Sequence, residues 1–155
     1  GTPAARALLG QAAVANARLA YAPFRERFAG RRWDALAARG ARVQRPLWAS
    51  TGTKNPAYSD VKYVETLIGP DTVNTLPPAT LDAFRDHGTA VRTVDSGIDE
   101  ARTTIANLAA AGVDLRGVTD QLLAEGLASF QKSFDTLIAG LEAKASMLGR
   151  TLAGR

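Results

Sequence analysis

Residues 42–94 hold two short apolar runs, each ending in polar residues and each followed by a helix-like stretch, and this alternation restricts the fold more than any other property of the chain. The first run, residues 43–50, is apolar at Leu47, Trp48 and Ala49, and has Pro46 near its start, where a missing backbone donor is tolerated. It breaks at Ser50 into a polar loop that carries one cation, Lys54. Ser59 or Asp60 then stands where a helix N-cap belongs, Val61, Val64 and Ile68 share a helical face, and Gly69 with Pro70 closes it. Residues 72–75 form the second run, Pro77 and Pro78 turn the chain, and residues 79–87 read as a short helix stopped by Gly88. Strand, helix, strand, helix with connections of a few residues predicts parallel strands joined by helical crossovers, with residues 90–94 as a third short strand.

Helices flank this segment. Residues 3–28 are Ala-rich with Leu8, Ala12, Ala15 and Leu19 at helical spacing, and Pro23 is expected to kink or split the run. Residues 32–39 form a second helix capped by Gly40. Ser96 and Asp99 make a capping pair for a helix through Ala111, and Asp114 caps another over residues 115–125. Glu125 and Gly126 mark a junction, with Glu125 tying on the last helix, and Phe130, Phe134, Leu137, Ile138 and Leu141 give that helix one apolar stripe. The expected organisation is helices over 1–41, strand-helix-strand-helix-strand over 42–94, closing helices over 95–148 and a fraying tail at 149–155.

Composition narrows the chemistry. At 155 residues, 46% hydrophobic and 22% charged, the chain is globular and sized for one domain. The absence of cysteine excludes a disulfide framework, a thiolate metal site and a cysteine nucleophile, and fits a reducing, cytoplasmic setting. With His87 the sole histidine, a multi-histidine metal site is excluded as well. The net charge of +4 is spread along the sequence, and the one local cluster, Arg25, Arg27, Arg31 and Arg32, has no interleaved run of aromatics. It reads as a solvated face, and no nucleic-acid partner is expected. No apolar stretch approaches the ~20 residues of a membrane span, so no membrane partner is expected either. The start, Gly1-Thr2-Pro3-Ala4-Ala5-Arg6, lacks the layout of a secretory signal and an initiator methionine, and reads as a processed or truncated beginning.

Four segments, Ala15-Asn16-Ala17-Arg18-Leu19-Ala20-Tyr21, Trp48-Ala49-Ser50-Thr51-Gly52-Thr53-Lys54-Asn55-Pro56, Asp71-Thr72-Val73-Asn74-Thr75-Leu76-Pro77 and Leu123-Ala124-Glu125-Gly126-Leu127-Ala128-Ser129-Phe130, occur in this order. Together they resemble the C-terminal half of bacterial transaldolases, the two strand motifs being the specific ones. The resemblance implies an α/β fold, the C-terminal portion of a (β/α)8 TIM barrel: about three short parallel strands, roughly the sixth to eighth, with additional C-terminal helices and helix dominating.

The implied reaction moves a dihydroxyacetone unit from a ketose phosphate of the sedoheptulose 7-phosphate type to an aldose phosphate, in the pentose phosphate pathway. The family works through a Schiff-base lysine, usually within a Lys-Ile-Pro-Ala-Thr type of motif, and needs no metal or organic cofactor. No such motif occurs here, and neither Lys54, Lys62, Lys132 nor Lys144 resembles that position. The nucleophile is therefore expected N-terminal to this chain. The partners implied are sugar-phosphate substrates and the N-terminal half of the same enzyme, as companion chain or missing segment, and the chain alone is expected to be inactive.

What this chain would contribute is a grip on phosphate and hydroxyls through Ser50, Thr51, Lys54 and Asn74. A cation just past a strand's C-terminal end stands where barrel enzymes place phosphate, although a solvated loop lysine has the same signature. Ser50 matches the family's Ala-Ser position, while isolated Ser and Thr also serve as turn formers. Asn74 and Thr75 read either as substrate contacts or as the start of the Pro77-Pro78 turn, Thr75 more as the turn. Trp48 is expected to pack, and His87 to place an imidazolium at the negative end of a helix dipole. The alternative is a small, non-enzymatic helical binding or regulatory domain, with the strands misread.

Overall fold

The structure, a computed structural model, describes residues 2–153, with side chains through residue 149. The chain divides into two compact units, Gly1–Val113 and Asp114–Arg155. The first holds α1 (Pro3–Ala7), α2 (Ala12–Arg27), α3 (Gly30–Ala37), β1 (Leu47–Ala49), α4 (Lys62–Glu65), β2 (Val73–Thr75), α5 (Pro78–His87) and α6 (Ile98–Ala110), and the second holds α7 (Leu115–Ala153).

The N-terminal helical stretch breaks at Gly10, not at Pro23. Gly10 sits at φ +73°, in the left-handed region, and a Cβ built there would lie 2.6 Å from Lys62 Nζ. Side chains are excluded on both counts. Pro23 instead lies on the exposed side within α2, between buried Tyr21 and Phe24, whose anchorage carries the helix on to Arg27. α3 ends as expected: Gly40 at φ +90° lets its own N–H reach Ala37 O at 2.9 Å and the Ala41 N–H reach Leu36 O at 3.1 Å. That pair of bonds satisfies carbonyls the helix would otherwise leave open.

β1 and β2 pair in parallel, Leu47 opposite Val73, Trp48 opposite Asn74 and Ala49 opposite Thr75, with α4 in the crossover. Among the described residues these two form the whole sheet. The expected third strand at 90–94 is absent, because its polar groups are claimed by the end of the crossover. Thr93 N–H and Val94 N–H both donate to Ile68 O, at 2.8 and 3.0 Å, while Thr93 Oγ1 accepts from Ile68 N at 3.1 Å and donates to Glu65 O. Such a clamp leaves no ladder for β2 to join. It drives Val94 fully into the core beside Val14, Tyr21, Phe24 and Leu67.

Trp48 is half-buried against that cluster and donates Nε1–H to Leu67 O at 3.1 Å, as a packed tryptophan should. Tyr21 Oη donates to Pro70 O at 3.0 Å. In and around α4 the buried positions are Val61, Val64 and Leu67, while Ile68 stays partly exposed. α6 packs along α2. It starts at Gly97, φ +65°, with no side-chain cap: Ser96 Oγ donates backwards to Thr93 O at 2.7 Å, so the Ser96–Asp99 capping pair does not form.

α7 is one continuous helix of 39 residues opened by Asp114, whose Oδ1 accepts from Gly117 N at 3.1 Å. The junction expected at Glu125 and Gly126 is not there. Gly126 costs an exposed helix about 1 kcal/mol and is carried by its neighbours, and Glu125 accepts from Gln121 one turn back at 2.7 Å. Phe130, Phe134, Leu137, Ile138 and Leu141 lie on α7 with none of them buried. The tail expected to fray from residue 149 is helical through Ala153, and its last two residues lie outside the described residues. Among the described residues no helix is long and apolar enough to cross a membrane.

Candidate functional site

Parallel pairing puts the C-terminal ends of β1 and β2 side by side, so Ser50 and Thr51 meet Asn74 and Thr75. Two hydrogen bonds lock the meeting. Ser50 N–H donates to Thr75 Oγ1 at 3.2 Å, and Thr51 Oγ1 donates to Asn74 Oδ1 at 2.6 Å. Thr75, read from sequence mostly as a turn former, thus ties one strand end to the other. Thr51 is buried, and its bond leaves both Nδ2 hydrogens of Asn74 without a protein partner among the described residues.

Ser50 has φ +55°, a left-handed conformation that costs a non-glycine residue about 1–2 kcal/mol. The geometry turns the chain off the strand while leaving the Ser50 side chain exposed. The loop then runs tight against α5: a Cβ at Gly52 would lie 2.9 Å from Pro77 Cγ and 3.2 Å from Thr80 Oγ1. Thr53, which sequence reasoning passed over, has its Oγ1 buried with no hydrogen-bond partner among the described residues. An orphaned hydroxyl one residue before a cation is the arrangement an incoming oxyanion would complete.

Lys54 follows on the same loop, exposed and with no carboxylate within ion-pair distance among the described residues. No hydrogen bond joins it to Ser50, Thr51 or Asn74. Beyond it Asn55 Oδ1 accepts from Ala57 N at 2.9 Å, a local turn that ends the loop. Of the four residues singled out, Thr51 and Asn74 are bonded directly, Ser50 is tied to the same strand end through Thr75, and Lys54 has no such bond among the described residues.

Comparison with known sequences decides the family. The model for "Transaldolase/Fructose-6-phosphate aldolase" matches residues 2–141. The chain belongs to that family. Among its curated relatives it is 49% identical to the transaldolase of Frankia alni over 152 residues, covering 97% of this chain and 40% of that protein. It is 48% identical to transaldolase 2 of a Nostoc species, with 90% and 37% covered, and 50% identical to transaldolase 1 of Streptomyces avermitilis, with 96% and 39% covered. The chain therefore spans about two fifths of the length of these relatives. For a member of this family, a helix-dominated unit with two short parallel strands is what a portion of the fold looks like.

The remaining polar features lie apart from these strand ends. Arg25, Arg27, Arg31 and Arg32 are all exposed, on α2 and α3. His87 does more than face a helix dipole: Nε2 meets Asp60 Oδ1 at 2.9 Å and Nδ1 meets Asp86 Oδ2 at 3.1 Å. The hydrogen bonds His87 donates to Asp60 and then to Asp86 raise the imidazole above its usual range, and His87 in turn lowers Asp60. Neither Ser59 nor Asp60 caps α4, whose N-cap is Val61 without a side-chain cap bond. Ser59 Oγ accepts from Val61 N at 3.3 Å in a local turn ahead of the helix.

Proposed function

We propose that the joined ends of β1 and β2 with the 50–54 loop form the phosphate- and hydroxyl-gripping part of a transaldolase. The observation that carries this reading is the pairing of Ser50–Thr75 and Thr51–Asn74 at the C-terminal end of parallel strands, beside the free cation Lys54. Strand C-termini are where barrel enzymes hold their substrates. Ser50 Oγ and Asn74 Nδ2 offer hydrogen bonds to hydroxyls, while Lys54 and the Thr53 hydroxyl offer charge and a donor to phosphate.

In the whole protein the substrate is a ketose phosphate of the sedoheptulose 7-phosphate type, and the acceptor an aldose phosphate of the pentose phosphate pathway. A lysine outside these residues condenses with the ketone, losing water to give an imine. The imine accepts the electron pair of the breaking carbon–carbon bond, and the three-carbon enamine then adds to the second aldehyde. The residues of this chain position the substrate for that lysine. Alone they are inactive. Residues 1–155 would then be a segment of a single barrel domain, whose remaining strands pair along the free edge of β1.

The experiment is Lys54→Ala in the full-length protein. Loss of a charge-assisted hydrogen bond is expected to lower kcat/KM for phosphorylated sugars by about 1.5–3 kcal/mol, chiefly through KM. An unchanged kcat/KM removes Lys54 from the site.

A further inference from the structure

A cavity of about 250 Å3 lies between α2, α4 and α6. No residue of β1, β2 or the 50–54 loop lines it, and the reaction assigned above makes no use of it. Its polar lining is Gln11, Arg18, Lys62, Thr66, Glu100 and Thr104.

The hydrogen-bond inventory of that lining is lopsided. Thr66 Oγ1 spends its hydrogen on Lys62 O at 2.7 Å and Thr104 Oγ1 on Glu100 O at 2.9 Å, while Gln11 Nε2 donates to Ala7 O at 2.7 Å. Both threonine hydroxyls are thereby left as acceptors, while the Gln11 amide keeps its Oε1 and one N–H. The charged donors of the lining are the two cations. Arg18 reaches Thr66 O through Nη2 at 3.3 Å, but its Nε is buried with no partner among the described residues. Lys62 Nζ stands over the Tyr58 ring at 4.1 Å from the centroid, which fixes the ammonium without neutralising it. Neither cation forms an ion pair among the described residues. Glu100 is the nearest carboxylate in the lining; a Cβ at Gly97 would lie 3.2 Å from Arg18 Nη1 and 3.3 Å from Glu100 Oε2, which sets the two groups at one end of the cavity.

Two cations without an ion pair among the described residues, one with a buried unpaired N–H, in a lining that also holds two acceptor hydroxyls and the Glu100 carboxylate, suit a ligand with an anionic end and a donor end. We infer that this cavity binds a small hydroxylated oxyanion, its carboxylate or phosphate held by Arg18 and Lys62 and its hydroxyl donating to Glu100. Lys62 thereby acquires a role unconnected with the family's lysine chemistry.

The test uses the full-length protein carrying Lys54→Ala, so that the proposed sugar-phosphate site is weakened and the two readings fail independently. Isothermal titration with L-malate and, separately, with glycerol 3-phosphate should show one of them binding with a Kd of about 1 mM or tighter, which decides between carboxylate and phosphate. Adding Arg18→Gln, or in its own protein Lys62→Gln, should weaken that binding at least tenfold. Lys62→Gln keeps the test decisive should Arg18→Gln fail to fold. Binding of neither ligand, or binding that both substitutions leave unchanged, overturns the assignment.

Discussion

Replacing Gly69 by alanine should destabilise the protein through one identifiable clash, and removing the atom it hits should cancel most of the loss. A Cβ at Gly69 would lie 2.1 Å from Val94 Cγ1, 3.3 Å from Val94 Cβ and 3.7 Å from Tyr21 Oη. Val94 and Tyr21 are both 0% exposed, and Tyr21 is held in place by its bond to Pro70 O, so neither side chain has free space to move into. Overpacking of this kind costs about 1–3 kcal/mol, and the 2.1 Å approach to an immobile side chain points to the upper half of that range. Val94→Ala deletes two carbons at about 0.8 kcal/mol each and leaves a small cavity, for a loss of about 2 kcal/mol. Were the sites independent, the double variant would lose about 4 kcal/mol. The second substitution removes Cγ1, however, and leaves the new methyl 3.3 Å from the Cβ of residue 94, a tight contact that a shift of a few tenths of an ångström relieves, so the double variant should lose only about 2 kcal/mol. Urea unfolding of the four full-length proteins, followed by circular dichroism and tryptophan fluorescence, measures the cycle. Additivity within about 0.5 kcal/mol would refute the steric argument.

Thr51→Val keeps the shape of the buried side chain but strands Asn74 Oδ1, and should lower kcat/KM of the full-length enzyme by about 1–2 kcal/mol. Full activity in that variant would mean that the Thr51–Asn74 bond does not orient substrate. Asp60→Asn should bring the His87 titration, followed by NMR, down toward the ordinary 6.5, and a titration that does not move contradicts the assigned cause. The His87 contribution to stability is full below pH 6.5 and is lost as pH rises through the raised pKa, while that of Asp60 is present above pH 3.8 and is lost as pH falls through the lowered one; the pair is strongest between. Borohydride trapping of the imine in the full-length enzyme should label a peptide outside residues 1–155. A label on Lys54, Lys62, Lys132 or Lys144 would sink the proposed division of labour.

Local chemistry made much of this fold readable, and long-range partners account for what was not. β1 and β2 were visible because apolar runs bounded by Ser50, Asp71 and Pro77 have few other conformations open to them, and Gly40 because only glycine takes its φ of +90° cheaply. Residues 90–94 look just as strand-like. What diverts them is Ile68 and Glu65, distant in sequence, which claim the Thr93 and Val94 groups. Asp60 and His87, 27 residues apart, share an ion pair for the same kind of reason. In the site, Ser50, Thr51 and Asn74 were legible from their strand-end positions, but the Ser50–Thr75 and Thr51–Asn74 bonds depend on the parallel register, which spacing alone does not fix. Thr53 and Arg18 lie within the quoted segments but were given no role, since an unpartnered atom becomes evident only when everything around it has been placed.

The bond from Ser50 N–H to Thr75 Oγ1 also bears on time. The donor belongs to one strand end and the acceptor to the other, so the Ser50 amide is shielded only while both strands are docked with the crossover folded between them. Hydrogen–deuterium exchange at that single amide is thus a clock for the assembly of the substrate grip. If Ser50 exchanges at the same rate as the β1–β2 ladder amides, the grip exists or vanishes as one cooperative unit. If it exchanges faster, the strand ends part while the sheet persists, and substrate would enter through that opening.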